Sequence, residues 1–330
     1  MEFRIVKLKF IAPLLLSKGS ADYTFIDETL HSDTIKNALF ACALHLFGNH
    51  QINESFFSRF TLSSAFPFYD QDFFLPKPFI RLNLTINNTS DSYKTAKKKK
   101  KLMWLERSIF ESECNGRIVN VEDENFSASG KLLSRRSLRG RNVYRFEEQQ
   151  RVKVNYTADS EPFFTMQMHF EPNAGLYVLV RTDDEFFNTI LKPAFRLLGD
   201  SGVGSYRNVG NGHFLPEFPE EKLTLHLPQN GNAMVCLSLY CPLREELSES
   251  MLRAASYQLI KRGGYLSSVE DEQYMSWRKK SIYMFQEGSV FPAGNNLIGK
   301  LADVTPDGLP HKVYRDGQAL FIPINITSHV

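Results

Sequence analysis

Apolar and charged side chains alternate through residues 2–10, EFRIVKLKF, which is the period of a strand with one buried face. A longer period follows. Within LHSDTIKNALFACALHLFGN, Ile35, Ala38, Leu39, Cys42, Leu46 and Phe47 recur at three- and four-residue steps. This spacing predicts a helix that lays one apolar face on a sheet, with Ser32 or Asp33 able to cap its start and Gly48 able to close it. Residues 52–82 are rich in aromatics and prolines and predict an irregular connection with short strands. The segment NNTSDSYKTAKKKKK (87–101) is polar and then purely basic, an exposed or mobile stretch whose lysines form either a solvated run or a phosphate contact. Residues 131–156 predict a long hairpin or loop with eight Lys/Arg, Gly140 near its middle, and Tyr144, Phe146 and Tyr156 interleaved. Such a mixture is able to grip a nucleic-acid strand.

Alternation returns in residues 162–182 and predicts two strands around the turn PNAG, followed by a helix over 184–198. Pro193 argues against an unbroken helix, because an interior proline costs about 3 kcal/mol and kinks or splits it. The order to this point is strand, helix, two strands, helix. One more strand after the following glycine-rich loop completes βαββαβ, the ferredoxin-like or RNA-recognition arrangement. The second half predicts a strand in AMVCLSLYCPL (233–243), then mostly strands around glycine turns over 257–285 and at the carboxyl end, with one acidic loop. The expected class is therefore α+β, with one domain over 1–220 carrying the basic hairpin as an insertion and a strand-rich one over 221–330. A chain of 330 residues with 42% hydrophobic content has enough apolar surface for both.

Charge and cysteine usage narrow the chemistry. Thirty-nine basic and 37 acidic residues give a net +2, so attraction to a polyanion must come from uneven placement. Four cysteines without a CxxC pair speak against zinc and against a disulfide framework. The amino terminus has lysines before an apolar run, but strand-like alternation, an interrupting proline and the lack of a small-residue cleavage site argue against a signal peptide. With no run of about 18 apolar residues to suggest a membrane span, the reading is cytoplasmic.

The stretch LLGDSGVGSYRNVGNGHF (197–214) resembles neither common nucleotide loop. It lacks the Lys-Ser/Thr of a Walker A loop, and it follows a helix where a dinucleotide fingerprint opens one. Gly202, Gly204, Gly210 and Gly212 remove side chains so that the backbone can approach a ligand closely and offer amides to an anionic oxygen. Arg207 adds a forked donor and Tyr206 a stacking surface, which suits an extended phosphate backbone better than a compact nucleotide. The alternative is a loop whose glycines serve turns alone. His31, beside Ser32 and Asp33, is a candidate general acid or base for RNA cleavage, against the simpler reading that the neighbours cap the helix while His31 packs or touches RNA. The acid pairs in VEDEN and EDEQ read as solvated loops, and no spacing points to a metal or cofactor.

The glycine loop, the LHSDTIKNAL opening of the first helix and the closing HKVYRDGQALFIPI together resemble the RAMP proteins of type III CRISPR effector complexes, in the subunit-4 branch of the type III-A (Csm) complex. The resemblance covers about residues 1–48, 163–214 and 257–326. The family loop runs G-x-G-G-x-R-S-x-G-x-G. Gly202, Gly204, Arg207, Gly210 and Gly212 match it, while Ser205 replaces a glycine and Asn208 a serine. The resemblance implies two ferredoxin-like RAMP domains with a β-hairpin thumb on the first. It implies a noncatalytic subunit without cofactor that binds the repeat-derived 5′ handle of the crRNA and joins the large polymerase/HD-type signalling subunit to the backbone RAMP subunit. In that reading Gly202, Gly204, Ser205, Arg207, Gly210 and Gly212 hold the RNA backbone, Tyr206 offers a ring for stacking, His31, Ser32 and Asp33 add polar contacts, and Arg135, Arg136, Arg139 and Arg141 lie along the thumb. The alternatives are a RAMP endoribonuclease that processes crRNA precursors and a protein-only scaffold.

Overall fold

The computed structural model describes residues 1–17, 27–87, 92–154, 159–266, 274, 276–294 and 296–326. Tyr156 and the acidic EDEQ loop (270–273) lie outside the described residues.

The alternating amino terminus forms the strand Glu2–Phe10, which buries Phe3, Ile5, Val6 and Leu8. It lies between two antiparallel neighbours, Ala174–Arg181 (Val6 opposite Val178) and Phe214–Glu217 (Lys7 opposite Glu217). Beyond Ala174–Arg181 the sheet continues through Phe66–Tyr69, Asp72–Pro76, Trp104–Glu106 and Leu132–Leu133, and only the last two strands pair in parallel. Counted along the chain, Glu2–Phe10, Phe66–Tyr69, Ala174–Arg181 and Phe214–Glu217 stand across the sheet in the order fourth, first, third, second. The second of these strands comes from the aromatic stretch 52–82, where the sequence predicts short strands within an irregular connection. Of the two strands expected around PNAG, Ala174–Arg181 joins the main sheet, whereas Glu161–Phe170 pairs with Tyr144–Lys153 in a long two-stranded hairpin. The turn between them is a corner, with a single bridge from Leu14 to Met168 tying the hairpin base to the body.

The first helix, Ser32–Phe47, sends Ile35, Leu39, Cys42 and Ala43 into the same core as the strands. Leu46 departs from the expected apolar stripe and is 43% exposed near the helix end. The expected capping also needs correction. His31 occupies the N-cap position without a side-chain capping bond, and Ser32 and Asp33 are already helical. Gly48, at φ 76°, closes the helix with its amide on the Leu44 carbonyl.

Pro193 does not break the next helix, which runs without interruption from Asp184 to Ser201 through a π turn. A turn Asp184–Phe186, started by the Asp183 carboxylate accepting from the Phe186 amide at 2.8 Å, passes into a π turn over Phe187–Leu191 and then into Lys192–Ser201. The wider turn accommodates a residue that has no N–H to return to the preceding turn. The lysine run differs from expectation more plainly, because Ser92–Lys101 is a helix. Lysine is a good helix former, and cations in the last turn sit against the negative end of the helix dipole.

In the second half, Ala233–Cys236 is the middle of a three-stranded antiparallel sheet between Val290–Pro292 and Phe321–Ile324. The strand is shorter than the apolar run 233–243 predicts. Leu259–Arg262 pairs with Ile282–Phe285 as a separate ribbon. Val235, Leu237, Ile322 and Ile324 share one continuous core with the strands of the first half.

Candidate nucleic-acid interface

The glycine loop is anchored by the core at both ends, at Gly202 after the helix Lys192–Ser201 and at Phe214 in the edge strand. Three of its glycines are required by the packing of the chain on itself. A Cβ on Gly212 would lie 1.9 Å from the Val203 carbonyl oxygen, one on Gly204 2.5 Å from that of Leu15, and one on Gly202 2.8 Å from that of Asn211. The amides tell the same story. Val203 donates to Gly212 O at 3.0 Å, Gly212 to Pro13 O at 2.8 Å, Ser205 to Leu15 O at 2.8 Å, Asn211 to Tyr206 O at 3.2 Å and Gly210 to Arg207 O at 3.0 Å. Those five donors are engaged within the chain, which corrects the expectation of a row of amides open to an anion. The tip, Arg207–Gly210, is what reaches solvent, and Gly210 has nothing within 4 Å of the place where a Cβ would stand.

Tyr206 stands next to that tip in the left-handed region, at φ 58° and ψ 30°. Its ring stacks on Phe163 with centroids 6.4 Å apart and planes 21° apart, and the Arg151 guanidinium lies over it at 5.1 Å. Arg151 and Phe163 face each other across the hairpin, so one rung of the hairpin meets the loop. Arg151 also donates to Gln149 Oε1 at 3.2 Å, an oxygen that accepts from Gln167 Nε2 at 2.6 Å. On the helix side, burial pushes the Cys42 thiol up to about 11, while the charge of Arg207 pulls the other way. The Tyr206 and Phe163 rings and the Arg151 guanidinium thus meet where the hairpin touches the loop, and Arg207 is the next residue along the exposed tip, close enough to the first helix for its charge to act on Cys42. Arg151 and Phe163 escape a reading of the sequence because only the fold brings positions 151, 163 and 206 together.

His31, Ser32 and Asp33 are placed elsewhere, and their assignment as RNA contacts is corrected. They are 2%, 2% and 0% exposed. His31 Nδ1 lies 2.8 Å from Glu287 Oε1, and Nε2 lies 3.0 Å from Asp27 Oδ2. Burial disfavours the charged ring, but Glu287 and Asp27 outweigh it and hold the imidazolium at about 9. Ser32 Oγ accepts from the Leu239 amide at 3.0 Å, and the Ser32 amide donates to Ser64 Oγ at 2.8 Å. Arg262 forks onto Asp33 with two bonds of 3.0 Å, and Arg315 adds a further donor. Burial pushes the Asp33 carboxyl up, but the two guanidinium groups hold it well below the usual carboxylate range. The start of the first helix is therefore a buried ionic junction to residues 239, 262, 287 and 315.

The junction has a pH signature. An imidazolium held above its ordinary 6.5 stabilises the fold fully below that pH, and the contribution is lost as the pH rises through about 9. Urea unfolding is expected to show falling stability across this window, with a smaller fall in Glu287→Gln. A parent protein whose stability stays level from about pH 6 to about pH 9.5 would contradict the assignment.

The four arginines are also relocated. Arg135, Arg136, Arg139 and Arg141 lie in the loop between Leu132–Leu133 and the hairpin arm Tyr144–Lys153, not along the hairpin. Leu138, 3% exposed, pins this loop to the core, and its amide donates to Glu124 O at 2.7 Å, so the loop folds back on the preceding turn and does not extend the strand. All four arginines are exposed, with Arg136 Nε 3.6 Å from Asp72. The four cysteines are buried and free. Among the described residues no group of three or more His, Cys, Asp or Glu is arranged to hold a metal ion, and no helix is long and apolar enough to cross a membrane.

Comparison with known proteins agrees with the resemblance read from the sequence. Residues 229–324 match the CRISPR Csm4 C-terminal domain family. The chain is 26% identical over 326 residues to the CRISPR system Cms protein Csm4 of Thermococcus onnurineus, covering 96% of this chain and 97% of the relative. It is 27% identical over 295 residues to the Csm4 protein of Mycobacterium tuberculosis, covering 89% of each. Its fold is similar to that of a chain in the crystal structure of the Csm1–Csm4 cassette in complex with cA4, with a TM-score of 0.65, 20% identity and coverage of 99% of this chain and 100% of the other. A chain of the Csm3–Csm4 subcomplex from the type III-A CRISPR-Cas interference complex gives a TM-score of 0.63 at 16% identity, with coverage of 99% and 100%.

Proposed function

We propose that this chain, a Csm4 relative over nearly its whole length, is the noncatalytic subunit of a type III-A CRISPR interference complex that holds the 5′ repeat-derived handle of the crRNA. The observation that carries this reading is the meeting of Tyr206, Phe163 and Arg151 directly beside the exposed loop tip that begins with Arg207. Rings offer faces to unstacked bases, and a guanidinium forks onto phosphate, which is the chemistry of single-stranded RNA recognition. The buried glycines set the shape of the loop, so Arg207 is presented from a braced turn. In this reading the long hairpin is the thumb of a ferredoxin-like RAMP domain. The fourth–first–third–second strand order supports that arrangement. The second RAMP domain begins at about residue 221, a division supported by the start of the Csm4 C-terminal match at residue 229.

The partners proposed are the large signalling subunit and the backbone RAMP subunit, because Csm4 chains of similar fold have been solved with Csm1 and with Csm3. The site of action is the cytoplasm. A noncatalytic role is supported by His31, whose two ring nitrogens both face carboxylates inside the protein and which is the histidine best placed in sequence for strand cleavage.

Arg207→Ala tests the reading. It is expected to weaken binding of handle-bearing RNA and to reduce the slope of log affinity against log salt by about 0.7 for each phosphate that is no longer neutralised. Unchanged affinity and slope would remove the loop from the interface.

A further inference from the structure

The lysine helix and the arginine loop are separate in sequence but share one support. From the helix Ser92–Lys101, Lys98 pairs with Asp123, and the Lys101 side chain passes 3.4 Å from the Cβ position of Gly130. From the other side, Asn125 Nδ2 donates to Arg135 O at 3.1 Å, the Leu138 amide to Glu124 O at 2.7 Å and the Ala128 amide to Arg141 O at 2.8 Å. Both elements therefore clasp the segment 122–130. This support sits at the end of the main sheet formed by Trp104–Glu106 and Leu132–Leu133, whereas the glycine loop leads into the strand at the opposite edge.

Charge on this surface is unbalanced. Lys97, Lys100, Lys101, Arg135, Arg139 and Arg141 are exposed, and among the described residues none of the six has a carboxylate within 4 Å. The acids Glu122, Asp123 and Glu124 are exposed on the same turn; Asp123 pairs with Lys98 and the Glu122 side chain accepts from the Asn125 amide, so the carboxylates of Glu122 and Glu124 remain as two negative charges against the six cations. Tyr93, at the start of the lysine helix, is 75% exposed.

We infer that the lysine helix and the arginine loop form a second binding surface for the phosphodiester backbone of single-stranded RNA, distinct from the glycine loop. Six cations held on a braced support, in a chain of net charge only +2, are the uneven placement that polyanion binding requires. Lysine is depleted at the centres of protein interfaces, whereas phosphate backbones accept Lys and Arg alike, which favours RNA over an acidic protein. Phosphate contacts position a strand without reading its sequence, so this surface binds RNA with or without the handle. It extends the RNA-binding reading above but does not depend on the handle being the ligand of the glycine loop.

The test uses the full chain and an oligouridylate of about 20 nucleotides, with binding followed by fluorescence anisotropy at several salt concentrations. Two triple variants, Lys97→Gln/Lys100→Gln/Lys101→Gln and Arg135→Gln/Arg139→Gln/Arg141→Gln, are made separately and each is checked by thermal unfolding, so that a folding defect in one leaves the other informative. Each is expected to weaken binding about tenfold or more at low salt and to reduce the salt slope by about 1.4 to 2.1, corresponding to two or three phosphates. Arg207→Ala, which removes a phosphate contact at the other edge of the sheet, is expected to weaken handle RNA more than oligouridylate, and each triple substitution is expected to weaken oligouridylate binding by the same factor in this background as in the parent. An Arg207→Ala protein that retains handle preference overturns the glycine-loop reading and leaves this one standing. Affinity and slope unchanged in both triple variants overturn the second surface. Polyglutamate of matched length competing as well as RNA also overturns it, by assigning the surface to an acidic protein.

Discussion

Asp33→Ala is expected to lower the stability of the isolated chain by about 3–5 kcal/mol, the usual cost of removing one partner from a buried ion pair. The carboxylate is 0% exposed and takes three donors from two guanidinium groups, one of which, Arg315, is itself 4% exposed. Alanine leaves both cations in a buried site with the imidazolium of His31 nearby, so the destabilisation comes mainly from stranded positive charge. Asp33→Asn, which keeps the shape and one acceptor oxygen, is expected to fall between the parent and the alanine variant. Urea unfolding measures both. A change below about 1 kcal/mol for Asp33→Ala would mean that the junction between the first helix and the second half does not hold the fold together.

Gly212→Ala carries the second large effect. Its Cβ would stand 1.9 Å from the Val203 carbonyl oxygen, across the bond in which Val203 donates to Gly212 O, and the residue sits at φ 75°. Backbone cannot yield as the end of a side chain does, so the loop must open. We expect destabilisation by about 3 kcal/mol and loss of handle binding with it. Gly210→Ala provides the control, because at φ 91° with open space around it the methyl costs about 1 kcal/mol of backbone strain and leaves binding near that of the parent. Unfolding curves and RNA titrations on the two variants separate these cases. The reverse ranking would show that Gly210, and not Gly212, sets the conformation of the loop.

These two sites also show what is legible in the sequence. Period carries the reading wherever one element buries one face: Glu2–Phe10 and the first helix follow directly from alternation and from three- and four-residue steps. Glycine is legible as close backbone approach, but its partner is not. The backbone that approaches Gly204 and Gly212 belongs to Leu15 and Val203 of the same chain, and a sequence offers no way to tell this from a ligand. Pairing between distant strands is hidden for the same reason. Glu161–Phe170 alternates equally well whether its partner is Ala174–Arg181 or Tyr144–Lys153, and period 2 does not choose between them. His31, Ser32 and Asp33 look like a polar helix start until residues 262, 287 and 315 are brought in, more than two hundred positions later. By charge density alone the lysine run reads as an exposed or mobile stretch, while the helix propensity of lysine and the neighbours of Lys98 and Lys101 make it an ordered helix.

The function proposed for this chain, holding the crRNA handle without cutting RNA, rests on Tyr206, Phe163 and Arg151 meeting beside the exposed Arg207 tip. The most direct measurement incubates the purified full-length protein with labelled mature crRNA, with the same RNA lacking its 5′ handle, and with a crRNA precursor, and follows binding and strand integrity together. Tighter binding of the handle-bearing RNA, loss of that preference in Arg207→Ala, and an uncut precursor are expected. Equal binding with and without the handle, or site-specific cleavage of the precursor, would contradict it.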